Sequence, residues 1–160
     1  MGNFKVGDKI PSFSSVIEDG STITDKSIAG KKVIMFFYPK DDSPTCTKEA
    51  CNLRDNYKIF QKKGFTIYGV SPDNDKKHKK FIDKYELQYS LIADPDKTII
   101  NAFGYFGKKV FMGKEVEGVY RTTIAIDENG IITHIINNVV SGEHSAQLSE
   151  ALGFQFMPNK

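Results

Sequence analysis

The sequence predicts an α/β fold: a mixed sheet with helices on both faces and a β-hairpin at the N-terminal end. Three observations lead there. Strand and helix candidates alternate through the first hundred residues. The run KKVIMFFY, Lys31 to Tyr38, is continuously apolar and stopped by Pro39, as a central strand buried on both faces should be. The last third then changes to a hairpin followed by one helix.

In order, PSFSSVI (Pro11 to Ile17) and STIT (Ser21 to Thr24) flank the turn Glu18-Asp19-Gly20 and read as the first hairpin. Lys31 to Tyr38 follows as the central strand. Ser43-Pro44 is a helix start, with serine as N-cap and proline at the first helical position, and the helix is expected to run from about Pro44 to Lys63. FTIYGVS (Phe65 to Ser71) is a strand, Asp75 to Tyr85 a helix, YSLIA (Tyr89 to Ala93) a short strand, and Asp94-Pro95-Asp96 opens another short helix. RTTIAI (Arg121 to Ile126), a turn at Asp127-Glu128-Asn129-Gly130 and IITHIINNV (Ile131 to Val139) form a second hairpin. A closing helix spans about Glu143 to Leu152. The order βαβαβ, then a hairpin, then α joins a parallel half to an antiparallel half, which is a thioredoxin-like arrangement. There is no repeat, low-complexity tract or linker, so one domain over residues 1–160 is expected.

Composition narrows the function classes. The 160 residues carry a net charge of +2, too small to argue for nucleic acid. No apolar run approaches the roughly 18–20 residues of a membrane span, and the start MGNFKVGDK has no apolar leader segment. Cytoplasm is therefore the default compartment. The basic run DKKHKK, Asp75 to Lys80, precedes Phe81, Ile82 and Tyr85 at helical spacing and is expected to be a solvated helix face. Of 22 basic residues only Arg54 and Arg121 are arginine, so each asks for a reason.

The chemistry concentrates in FFYPKDDSPTCTKEAC, Phe36 to Cys51, which holds both cysteines of the chain. Cys46 falls in the first turn of the expected helix, at the head of an apolar stripe of Cys46, Ala50, Leu53, Tyr57 and Phe60. Free backbone N–H groups and the positive end of the helix dipole there favour a thiolate. A buried, inert cysteine is the alternative reading of the same position. His78, His134 and His144 are scattered without the paired spacing of zinc ligands, no CxxC is present, and no glycine-rich phosphate loop follows a strand.

At Pro39-Lys40-Asp41-Asp42-Ser43-Pro44-Thr45-Cys46 the chain resembles the PxxxTxxC signature of peroxiredoxins, with serine in the hydroxyl position. The longer string FFYPKDDSPTCTKEACNLRD is similar to the bacterioferritin comigratory protein, or peroxiredoxin Q, branch. VSPD (Val70 to Asp73) and FGKKVFMGKEVEGVYRTTIAID (Phe106 to Asp127) extend the likeness over nearly the whole chain. Ser43 stands for the commoner threonine and Thr45 for a frequent glycine, changes that bear on rate and peroxide preference rather than on the reaction.

The resemblance implies a thiol peroxidase. Cys46 would be the peroxidatic nucleophile, oxidised to sulfenic acid, and Cys51 the resolving cysteine. Arg121 would stabilise the thiolate and the charge on the breaking O–O bond. Ser43 would hydrogen-bond sulfur or peroxide as well as capping the helix. Pro39 would shield the sulfur, and Glu49 would orient the arginine unless it is merely a first-turn carboxylate favoured by the helix dipole. Arg54 is read as structural, paired with Glu49 or Asp55. The resemblance further implies hydrogen peroxide and organic hydroperoxides as substrates, thioredoxin or a similar dithiol as donor, a monomer, no haem, flavin or metal, and a role in antioxidant defence. If both cysteines share one α-helix, their Cα atoms lie roughly 8.7 Å apart and point to different sides. A disulfide spans at most about 7 Å, so the implied pairing demands unwinding, roughly from Thr45 to Arg54. On the residues alone, a thiol–disulfide oxidoreductase acting on proteins and a non-catalytic binding module of the same fold remain open.

Overall fold

A computed structural model describes residues 4–137 and 139–153. The first three residues, read above for a leader, and Asn138, inside the expected last strand, lie outside them. The chain runs β1 (Ser14–Ile17), β2 (Thr22–Thr24), β3 (Lys32–Phe37), α1 (Pro44–Asp55), α2 (Tyr57–Lys62), β4 (Phe65–Ser71), α3 (Asp75–Tyr85), β5 (Ser90–Ala93), α4 (Thr98–Phe103), β6 (Phe106–Phe111), β7 (Lys114–Val119), β8 (Thr122–Ile126), β9 (Ile132–Ile136), a 3₁₀ turn (Ser141–Glu143) and α5 (His144–Leu152).

Seven strands form one mixed sheet in the order β2-β1-β5-β4-β3-β8-β9. β3 pairs parallel with β4 and antiparallel with β8, so it is central, as its unbroken apolar run requires. Its alternate side chains enter two cores. Val33, Met35 and Phe37 join Ile99, Ile100 and Phe103 of α4 on one face. Ile34 and Phe36, with Tyr38 just beyond the strand, join Cys46, Ala50 and Leu53 of α1, Phe81 of α3 and Leu148 of α5 on the other. This is the expected thioredoxin-like fold, with helices on both faces and the N-terminal hairpin added at the β5 edge. Gly69 on β4 leaves room for this second core: a Cβ there would stand 2.8 Å from Phe36 Cζ and 2.6 Å from Leu91 Cδ2.

Three expectations are corrected. The helix expected over Pro44 to Lys63 is two helices, broken at Asn56, whose backbone leaves the helical region (φ −118°, ψ 13°). Its side-chain amide instead donates to the Asn52 carbonyl, in the way asparagine commonly competes with helix bonds. The second correction is an added element. Among the described residues β6 and β7 pair only with each other, as a separate two-stranded sheet. Their turn, Met112-Gly113, takes positive φ at both positions, a hairpin geometry usually signalled by Asn-Gly or Asp-Gly, neither of which stands between β6 and β7. Lastly, the basic run on α3 is not wholly solvated. Lys76, Lys77, Lys79 and Lys80 are exposed, but His78 is completely buried.

Candidate active site

The helix that carries both cysteines begins as the sequence suggests. Ser43 is the N-cap, its Oγ accepting a 3.4 Å bond from the Cys46 N–H, and Pro44 occupies the first turn. Helix α1 then runs unbroken through Cys46 and Cys51, both free thiols. Cys46 is buried at 1% exposure in the core beneath α1. Pro39, at the end of the central strand, is half-buried.

Arg121 stands between β7 and β8, next to the central strand, and reaches across to α1. Its Nη2 donates to Cys46 Sγ at 3.0 Å and its Nη1 to Glu49 Oε1 at 3.2 Å. One planar guanidinium thus spans the sulfur and the carboxylate in a fixed geometry that lysine cannot copy. Glu49 is itself buried and lies in the second turn of α1, whose first turn holds no acidic residue, so the reading of Glu49 as a first-turn carboxylate fails. Arg54 resolves to the other partner, Asp55, with Nη2 2.9 Å from Oδ1, and its Nη1 donates to the Tyr85 carbonyl. Burial pushes the Cys51 thiol up, so in the closed helix it stays a protonated, poor nucleophile.

Sequence reasoning missed the groups behind this front. His144, the first residue of α5, is fully buried, with Nδ1 3.1 Å from Glu49 Oε2 and Nε2 2.7 Å from Thr123 Oγ1. The Nδ1–Oε2 approach is close enough for an ion pair but out of line for a hydrogen bond, and neither atom has another partner among the described residues. Burial pushes the Glu49 carboxyl up to about 7, against the pull of Arg121. Burial, and then the Arg121 charge, push the His144 imidazole down to about 3, so this ring is neutral at physiological pH. Lys109 of β6 also approaches, its ammonium lowered by burial and by Arg121. The loop before Ser43 is held from α3: His78 Nδ1 lies 2.6 Å from Asp41 Oδ2, and Tyr38 Oη donates to Asp41 Oδ1 at 2.6 Å. For His78 a signal existed, since it precedes Phe81 and Tyr85 with spacings of three and four, on the buried stripe of α3. His144 offered none.

A helix-capped cysteine facing an arginine, on a mixed sheet of this order, defines a thiol-based redox enzyme. The comparisons narrow that class. The AhpC/TSA family model matches residues 6–135. Peroxiredoxin Bcp of Escherichia coli (strain K12) is 36% identical over 144 residues, covering 90% of this chain and 92% of that protein. Among solved structures, peroxiredoxin Q of Xanthomonas campestris superposes with a TM-score of 0.81 at 30% identity, over 88% of this chain and 89% of its own. The bacterioferritin comigratory protein of Xanthomonas campestris, solved in work on its alkyl peroxide reduction activity, has a TM-score of 0.82 at 27% identity, over 91% and 98%. The chain belongs to the AhpC/TSA family and is a peroxiredoxin, a peroxidase that works through thiols. Among the described residues, no helix is long and apolar enough to cross a membrane.

Proposed function

We propose that the protein reduces hydrogen peroxide and organic hydroperoxides with Cys46 as nucleophile, Cys51 as resolving thiol and a thioredoxin-like dithiol as donor. The observation that carries this reading is the Arg121 Nη2 to Cys46 Sγ contact at 3.0 Å. The Cys46 thiolate attacks the terminal oxygen of ROOH; the O–O bond breaks, and the departing alkoxide takes a proton to leave as ROH. Arg121 faces the charge on sulfur and on the breaking bond, where an oriented cationic donor in a dry site acts most strongly. The product is Cys46 sulfenic acid. Cys51 sulfur then displaces the sulfenic oxygen as water, forming the Cys46–Cys51 disulfide, and a dithiol donor reduces that bond with two electrons and two protons. Both cysteines lie on unbroken α1, so the second step requires the helix to open between about Thr45 and Arg54. The alkyl peroxide reduction activity of the Xanthomonas campestris relative supports organic hydroperoxides as substrates.

The test follows peroxide consumption with reduced thioredoxin and its reductase. Cys46→Ser should abolish turnover with every donor, and turnover near normal in that variant would overturn the mechanism. Arg121→Ala should slow single-turnover oxidation of Cys46 by roughly 10²–10³-fold, with Arg121→Lys recovering only part. An unchanged oxidation rate would remove Arg121 from its role.

A further inference from the structure

We propose that His144 is a positioning residue for the peroxidase reaction: with the Thr123 hydroxyl it forms a buried proton relay that governs whether Glu49 carries the negative charge holding Arg121 on Cys46. The inference rests on the reading of Cys46 and Arg121 given above. Its basis is geometric. Glu49 Oε2 and His144 Nδ1, both buried and otherwise unpartnered among the described residues, face each other at 3.1 Å, and the far ring nitrogen is 2.7 Å from a hydroxyl that can either donate or accept.

A neutral imidazole carries one ring hydrogen, and the site accommodates it in two ways. In the first, the Thr123 O–H donates to Nε2, the hydrogen sits on Nδ1, and a small rotation lets Nδ1–H donate to the Glu49 carboxylate. Glu49 is then ionised and holds Arg121 Nη1 as a charged acceptor. In the second, Glu49 is protonated and donates its O–H to the Nδ1 lone pair, while Nε2–H donates to Thr123 Oγ1. The two states differ by one proton on Glu49 and by the tautomer of His144; the ring never becomes a cation. A hydrogen bond to the charged form favours it, so the first state draws the Glu49 titration down from where burial alone would leave it.

The surroundings support this. Glu49 is faced by Arg121, by Cys46 on its own helix, by His144 from α5, and by Tyr89, whose phenol burial keeps neutral. Lys109 from β6 acts on Arg121 and Cys46. His144 is faced by Glu49 and Arg121 and is wedged by the Phe36 ring, edge-on at 5.8 Å. The Glu49 carboxyl titrates at about 7, within the range where the relay can switch.

The experiment uses the whole reduced protein. Nitrogen NMR of the His144 ring and carbon NMR of the Glu49 carboxyl, read together through neutrality, should show the ring hydrogen moving from Nε2 to Nδ1 as Glu49 ionises. A ring that keeps one tautomer throughout, or takes up a second proton near neutrality, overturns the proposal. This readout involves no peroxide, so it stands apart from the proposed function, which fails if Cys46 does not react with hydrogen peroxide at all. In the kinetic arm, His144→Leu should move the pH midpoint of Cys46 oxidation upward by about one unit, the worth of a hydrogen bond to a charged group. His144→Asn, whose amide N–H falls near Nδ1, should restore it. Equal midpoints in all three proteins overturn the proposal. If His144→Leu does not fold, Thr123→Val, which removes only the partner of Nε2, should shift the midpoint in the same direction by less, and an unchanged midpoint there is equally decisive.

Discussion

Two buried histidines face two buried carboxylates on either side of Cys46, and they differ in the partner of the far ring nitrogen and in the carboxylate contact itself. His78 lies 2.6 Å from Asp41 and gives its other ring nitrogen, at 3.0 Å, to the Ile92 carbonyl. A carbonyl can only accept, so Nε2 must keep its hydrogen and the ring has no freedom of tautomer. Asp41 is also held by Tyr38 Oη at 2.6 Å, and its own N–H donates to Asp73 Oδ2 at 2.7 Å. His144 has a hydroxyl, Thr123, where His78 has the carbonyl, and its carboxylate contact is longer and misaligned. The difference is between a saturated pair and an adjustable one. Asp41–His78 anchors the loop that leads into α1, while Glu49–His144 sits on the part of α1 that the proposed disulfide step would open.

That contrast breaks most directly at the saturated pair. His78→Leu leaves Asp41 Oδ2 buried without its partner, and breaking a buried pair in this way costs about 3–5 kcal/mol. Urea unfolding of the reduced protein should show that loss, while the pH midpoint of Cys46 oxidation stays where it was. A loss below about 1 kcal/mol would mean that the two histidines are not different in kind.

The adjustable pair predicts a smaller, pH-dependent effect. The folded Glu49 titrates at about 7 against an ordinary 4.5, so between those values the folded state holds a proton that the unfolded state lacks. Its contribution to stability therefore falls as pH rises through that window. The folded His144 titrates at about 3 against an ordinary 6.5, so there the unfolded state holds the extra proton, and stability rises with pH. From about pH 4.5 to 6.5 the two slopes oppose each other. Glu49→Gln removes one of them. The variant should gain stability relative to the parent as pH rises across this window, by roughly 2 kcal/mol in all, with a ceiling near 1.4 kcal/mol per pH unit. Denaturation curves that stay parallel at both ends would show that the pair is not coupled to folding.

What the sequence made legible follows the reach of local rules. Ser43-Pro44 announced the start of α1, and the apolar run at Lys31 to Tyr38 announced the central strand, because capping and burial leave marks within a few residues. Arg121 was legible through scarcity and motif, though it meets Cys46 from 75 residues away. Thr123 and His144 were not. Each is ordinary in its own segment, and only the β3–β8 pairing and the docking of α5 bring them behind Glu49. The β6–β7 hairpin escaped because its strands read as charged and glycine-broken, with no core pattern to reveal them. Asn56 escaped because one side-chain amide, not a proline or glycine, interrupts the helix.

The smallest effect lies where α1 meets α5. The Asn52 side chain donates to the Gly142 carbonyl at 3.0 Å and accepts the Ser145 N–H at 2.7 Å. Its backbone carbonyl accepts from Ser145 Oγ at 3.1 Å. Opening α1 from Thr45 to Arg54, as the proposed disulfide requires, breaks all three and withdraws Ala50 and Leu53 from the core. The core cost is the same with or without Asn52, so a truncation isolates the pin. Asn52→Ala removes the two side-chain bonds, together about 1–3 kcal/mol, while alanine returns roughly 0.6 kcal/mol through its better helix propensity. The net, about 1 kcal/mol, raises the open population roughly fivefold. Disulfide formation after a pulse of peroxide should quicken by that factor while the preceding oxidation of Cys46 keeps its rate. Amides at the start of α5 should lose exchange protection together with those of α1 on oxidation, since the same bonds hold both. A disulfide that forms no faster in Asn52→Ala, or an oxidised protein whose α1 remains intact through Arg54, would show that opening this contact is not the step that admits Cys51 to the sulfenic acid.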